Sequence, residues 1–452
     1  MIDTKFVSLA LGAFALSALA GAPMLAAARA QSLAAYEGVA SCAGSTCHGR
    51  AEGNGAVVRQ DEIASWQEPS SSSGAHSRAF AVLDSPRGRQ IAATLGLGSP
   101  TGAGECLGCH ATPARQRGAQ FRVSDGVGCE ACHGPASGWI ASHYAMIGTH
   151  AANVAAGMVP LERPQTRARV CLDCHFGSAE NGQFVTHRLM AAGHPRISFE
   201  LDLFSALQQH YDIDADYLAR KSQPSSVRLW AVGQAEAVRR SLDLFARPDR
   251  GTWGIFPEFY FYDCHSCHRS IADGPERKLT FETNPGRPIP FGMPPYNDES
   301  MIMLSTAARV LAPGQAAGFD TASRDFHRAM GEGRGQAVVA ARRLSELAAA
   351  LSAALAQGGS GSDDAFRIVA AIADKTTSPR FTDYAGSAQA VMAVDTLLNS
   401  LVRESRVTVG AAAGIRSDIN RAYAAVRSPA NYSPVEFRAA LGKAAASIGV
   451  LR

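Results

Sequence analysis

The chain has 452 residues, of which 18% are charged, and a formal net charge of +3 at pH 7. It carries no basic run that could track a phosphate backbone, so nucleic acid is not expected as a partner. The ten cysteines are the informative part of the composition, and they leave three classes to weigh: a disulfide scaffold, zinc sites, or a cofactor held by thiols.

The first segment is not part of the fold. Lys5 precedes the apolar run "FVSLALGAFALSALA", and "ARA" before Gln31 is a small-residue cleavage site, so residues 1–30 read as a signal peptide for export to the periplasm. The weakly polar run goes on through Pro23 to Ala28 and is long enough to span a bilayer if left uncut. Gly21 and Pro23 break a helix there, which favours removal. Membrane contact is therefore expected only if the segment stays uncleaved. Its loss takes away Lys5, Arg29 and Asp3 and leaves a net charge of +2.

All ten cysteines then fall into five pairs, each followed at once by histidine. The first is "CAGSTCH", Cys42, Cys47 and His48, with four residues between the thiols. The others have two: Cys106, Cys109 and His110; Cys129, Cys132 and His133; Cys171, Cys174 and His175; Cys264, Cys267 and His268. Neither disulfides nor zinc ribbons require a histidine after each second cysteine. Histidine is 13 of 452 residues, so five such neighbours by chance have a probability on the order of 10⁻⁸. Two thiols at this spacing bond covalently to the vinyl groups of a porphyrin, and the histidine becomes the proximal iron ligand. The sequence thus predicts five covalently attached haem c groups. That cofactor requires the cytochrome c maturation machinery, and its propionates would turn the holoprotein acidic.

Residues 31–283 carry every pair, at roughly 50 residues per haem, too few for a conventional core around each ring. Short helices and loops are expected to wrap stacked haems that supply much of the buried apolar surface. "SSSSGAHS" after Trp66 reads as a polar loop leading into a helix from His76. "SVRLWAVGQAEAVRRSLDLFA" places Val227, Trp230, Val238, Leu242 and Phe245 at helical spacing, so one face should pack. Residues 284–298, "NPGRPIPFGMPPYND", read as a Pro-rich linker. Beyond them, residues 299–452 are Ala-rich and free of cysteine. "GQAVVAARRLSELAAALSAALAQ", stopped by Gly358 and Gly359, is a long amphipathic helix. "SAQAVMAVDTLLNSLVRE" and "VEFRAALGKAAASIGV" are two more, giving a helical bundle as a structural or docking domain. The fold class is mainly α.

Eight histidines remain for the sixth coordination positions. His76 and His143 follow haem motifs in helix-like segments and are candidate ligands. His187 and His194 are seven residues apart. Either they share a helix face or, the favoured reading, His194 lies in the loop fixed by Pro195 and points to a different haem. His150 and His210 rank behind them. His265 is strained inside the fifth attachment loop, and His327 reads as a surface residue.

Trp66 followed by "AHSRAFAVL", then "CLGCH", "GVGCEACHGP" with His143 soon after, and "CLDCH" resemble, in this order, the cytochrome c-554 family of multihaem electron carriers associated with hydroxylamine oxidation. The resemblance covers about residues 40–200. It implies mostly helical structure, haems stacked in close pairs, and His76 and His143 as distal ligands. It also implies one haem without a strong sixth ligand, with that on Cys106 and Cys109 as the candidate. The wider first motif, the added fifth haem and the C-terminal region depart from that family.

A periplasmic relay of single electrons between redox partner proteins is the function expected. The alternative is a pentahaem oxidoreductase acting on small nitrogen or sulfur oxyanions at one open-site haem, with Arg115, Arg117 or Tyr144 beside it. Many nitrite reductases of this size carry a CxxCK site, and all five motifs here end in histidine.

Overall fold

The computed structural model describes residues 34–53, 59–220, 225–268, 283–290, 292–359, 361–429 and 432–452. The expected signal peptide lies outside them. The fold is mainly α. Its only described sheet is a two-residue antiparallel ribbon, β1 (Thr252–Trp253) with β2 (Phe256–Pro257), turned by Gly254 at φ +60°. Among the described residues no helix is long and apolar enough to cross a membrane. The chain divides into two compact units. One runs to Glu162 and takes in His210–Ala219; the other comprises Arg163–Gln209 and Arg220–Arg452.

The first unit is built from short helices: α1 (Glu62–Gln67), α2 (Pro86–Leu95), α3 (Gly104–His110), α4 (Cys129–His133), α5 (Ile140–His143) and α6 (His150–Ala155). Their ends are set locally. In α2, Ser85 Oγ accepts from Gly88 N, Pro86 occupies the first turn, and Gly96 closes the helix at φ +71°, a position only glycine takes without strain. The helix expected from His76 is instead a run of 3₁₀ turns, Ser73–Ala75 and Ala81–Asp84, and α-helix begins only at Pro86. The apolar interior is thin: a cluster of Ala136, Trp139 and Met158, with Val39, Leu83 and Phe121 buried elsewhere.

Loop-to-loop hydrogen bonds hold this unit in place of a core. The buried Glu130, between the thiols of the third pair, accepts from Glu37 N (2.9 Å), Gly38 N (2.7 Å) and Ala136 N (2.6 Å). Thr112 Oγ1 donates to Gly126 O and accepts from Gly128 N. Trp66 Nε1 donates to Val127 O (3.1 Å), and Val127 N donates to His76 O (3.0 Å). The segments around the second and third pairs are thereby tied to the His76 turn.

The second unit has a full hydrophobic core. It comprises α7 (Pro164–His175), α8 (His187–Ala191), α9 (Leu201–Leu207), α10 (Ser226–Ala246), α11 (Cys264–Cys267), α12 (Glu299–Leu311), α13 (Pro313–Met330), α14 (Arg334–Gln357), α15 (Asp364–Ile372), α16 (Tyr384–Arg403), α17 (Val409–Ala425) and α18 (Pro434–Gly449). The long C-terminal helices appear where their periodicity and glycine stops place them. Helix α10 differs from expectation: it is buried nearly all round, from Val227 to Val238 as well as at Leu242 and Phe245. Three of its polar residues find partners on the neighbouring helix α14, which offsets part of the cost of burying them. Ser352 Oγ and Ser345 Oγ of α14 donate to Glu236 and Asp243 at 2.6 Å each, and Arg228 Nη1 donates to Leu355 O.

The compact units therefore do not divide where composition changes. The fourth and fifth attachment pairs share a unit with the Ala-rich helices. Residues 284–298 are no free linker either. Tyr296 is fully buried among Phe245, Phe261 and Phe326, and Asn284 Nδ2 donates to Arg380 O (2.9 Å). Proline lacks an N–H, so an irregular segment rich in it carries few orphaned donors into the interior. His327, expected at the surface, is fully buried in α13 beside Tyr296 and Phe326. Burial and the nearby Arg287 and Arg380 hold its pKa well below the usual histidine range, so it sits there as the neutral imidazole.

Candidate haem centres

None of the ten cysteines is in a disulfide. Among the described residues no three His, Cys, Asp or Glu side chains converge as zinc would need. The four two-residue pairs each sit on a helix: in α3, in α4, at the end of α7 and in α11. Thiols at i and i+3 share a helix face, so one porphyrin edge can meet both. The first pair achieves the same with a turn. In the fifth motif His268 N donates to Cys264 O (2.8 Å); in the first, His48 N donates to Cys42 O (3.1 Å). The two extra residues are taken up in a tight loop, where Cys47 N and Gly49 N both donate to Gly44 O. The first and third pairs also adjoin, with the Cys42 and Cys129 side chains beside each other.

An iron-ligating imidazole usually donates its second ring N–H to a carboxylate or backbone carbonyl, which fixes the tautomer and aims the other nitrogen at the metal. His48 Nδ1 lies 2.9 Å from Glu62 Oε2, at the start of α1. His110 Nδ1 lies 2.7 Å from Ala79 O, three residues beyond His76, so the second motif meets the turn that carries His76. A carboxylate or carbonyl oxygen can only accept, so in both cases Nδ1 is the donor and Nε2 holds the lone pair. The Glu62 hydrogen bond also lifts the His48 imidazole above its ordinary pKa.

Two imidazoles on opposite faces of one iron, each with a metal–nitrogen bond of about 2.0 Å, have ring centroids about 6 Å apart. The first unit contains two such separations at proximal histidines. His48 and His143 are 5.9 Å apart with rings 15° from parallel, and His133 and His210 are 6.2 Å apart at 84°. His143, the last residue of α5, is backed edge-on by Trp139, and the Asn153 amide lies 3.4 Å from its Nδ1. The residues present fit the haem group.

In the second unit His187 opens α8 and lies 6.2 Å from His268. Helix α8 ends before Gly193 (φ +116°), so His194 stands in the following loop, with Nδ1 2.8 Å from Pro195 O. His175 is flanked by Phe204 (4.9 Å) and Phe199 (5.8 Å). His150 lies 3.2 Å from Glu162 Oε2. His265 turns away from its own motif, with Nδ1 2.8 Å from Pro429 O and the ring edge-on to Tyr432. Of the residues weighed for chemistry at an open iron, Tyr144 is 74% exposed and Arg117 stacks on Phe121.

Sequence reasoning placed His210 behind four other histidines, and it had no signal for Glu62, because acidic residues carry no spacing rule that links them to a distant histidine.

The family described as cytochrome c554 and c-prime matches residues 41–134, the stretch that holds the first three attachment motifs. No curated protein and no solved structure matches the chain. Covalently bound haem c follows from that match together with the paired thiols, and over residues 41–134 the chain is similar to the cytochrome c554 family of multihaem electron-transfer cytochromes.

Proposed function

We propose that the protein is a periplasmic five-haem electron relay, in which single electrons pass from a donor protein to an acceptor protein through haems held at all five motifs. The observation that carries the reading is the approach of a second histidine to His48 and to His133 at the spacing of two ligands on one iron. An iron so saturated is low-spin and exchanges electrons without taking up substrate. The haem supplies the redox chemistry. The chain sets ligand identity, ring orientation and burial, and through these the potentials. The N-terminal segment supports the location, because c-type haem is attached after export.

The test is a haem count and spin-state spectrum of the purified, oxidised protein, with and without nitrite, hydroxylamine and carbon monoxide. Five haems per chain are expected, with the irons at His48 and His133 low-spin and inert to all three. His143→Ala and His210→Ala should each turn one haem high-spin. Turnover of nitrite or hydroxylamine by the native protein would overturn the relay in favour of an enzyme.

A further inference from the structure

We infer that His187 is the sixth ligand of the iron whose haem is carried by Cys264 and Cys267, with His268 as the fifth. The inference rests on the five-haem reading and goes beyond it by assigning one ligand to one iron, in a part of the chain outside the family match.

The first observation is the separation: the His187 and His268 rings are 6.2 Å apart, tilted by 38°, against the roughly 6 Å that two imidazoles on one iron require. The second is the frame that holds them there. His187 is the first residue of α8, whose cap is Thr186, with Oγ1 accepting from Leu189 N. The backbone N–H of His187 donates to Glu258 Oε1 at 2.8 Å, and the same oxygen accepts from Tyr260 N at 3.0 Å. Glu258 is buried, so one carboxylate joins the start of α8 to the turn Phe259–Phe261 that leads into the attachment helix. Asp263 then caps that helix, accepting from His265 N at 2.9 Å.

The third observation is the ring environment. Phe259 stands edge-on to His187 at 5.7 Å and restricts its rotation. His194 stands in the loop after Gly193 with Nδ1 held to Pro195 O, and His265 has Nδ1 held to Pro429 O; among the described residues no ring contact with His268 like that of His187 accompanies either bond. Saturation at this iron makes the fifth haem a relay point, and any open-site chemistry must then be sought at another haem.

The test uses the full-length, haem-loaded protein. Mass spectrometry of the fragment holding residues 264–268 is expected to show haem attached in the native chain and in His187→Ala alike. In His187→Ala one haem per chain should pass from low-spin to high-spin in the electron paramagnetic resonance spectrum, and added imidazole should restore it. His187→Met should keep that haem low-spin and raise one midpoint potential, since a thioether ligand stabilises the reduced iron. This second variant carries the test if the alanine variant does not accumulate. An unchanged low-spin count in His187→Ala, or unchanged potentials in His187→Met, with haem present on the fragment, overturns the assignment alone. Absence of haem from that fragment in the native protein overturns the five-haem reading and this inference together.

Discussion

Glu200 caps α9 from a fully buried position, accepting from Asp202 N, Leu203 N and Thr396 Oγ1. Glu130 and Glu258 bridge backbone segments in the same manner. A carboxylate reaches two or three amides at once, which a backbone carbonyl at a loop crossing rarely does. Burial, followed by the charge of Asp202, pushes Glu200 up to about 7. Between the ordinary glutamate range and that value the folded chain binds more protons here than the unfolded chain. Stability from this group is therefore greatest at low pH, falls as pH rises from about 4.5 to 7, and is level above, a loss of up to about 3 kcal/mol. Denaturant midpoints at pH 5 and pH 8 are expected to differ in that direction, and Glu200→Gln should flatten the slope. An equal slope in both proteins would mean that Glu200 is ionised throughout. Asp263, also up to about 7, and Asp298, up to about 6, are raised chiefly by burial and add the same sign to the native profile.

At the scale of elements, the segment 284–298 shows what composition can and cannot reveal. Its prolines correctly exclude helix and strand, but nothing in them tells a free linker from an inlaid one. The difference lies in Tyr296 and in Arg287, whose guanidinium sits 3.1 Å from Asp383, 3.4 Å from Asp298 and 3.9 Å from Asp263. One buried cation thus balances three buried carboxylates, one of which caps α11. Removing it leaves uncompensated charge, and Arg287→Ala is expected to destabilise this unit by about 3–5 kcal/mol, read as a fall in the denaturation midpoint. A change under about 1 kcal/mol would show that the carboxylates carry their own protons. The long helices were legible because apolar period and glycine stops are local: α14 ends at Gly358 as expected. The attachment motifs were legible for the same reason. The pairing of histidines was not, since His133 meets His210 only through folding, and no local pattern selects one histidine among eight.

For the whole molecule, the two units differ in what fills them. The unit of residues 163–209 and 220–452 closes on Trp230, Phe245, Phe319, Phe326, Leu344, Leu397 and Phe437, all buried in one cluster. The other has Val39, Leu83, Phe121, Trp139 and Met158 as its main buried apolar side chains. So few large buried side chains leave this unit little apolar area of its own to oppose the entropy of ordering its chain. Haem bonded to the paired thiols of this unit would supply the missing apolar surface, and its short helices and heavily cross-bonded loops fit such a role. A chain made without haem attachment, with each cysteine changed to serine, should therefore fold in part only. Limited proteolysis followed by mass spectrometry is expected to remove residues 34–162 quickly and to spare a fragment spanning α10 to α18. The haem-loaded protein should resist in both parts. Equal protection of the two parts in the haem-free chain would show that the first unit has a polypeptide core of its own. Rapid loss of both would show that attached haem is as necessary to the second unit as to the first.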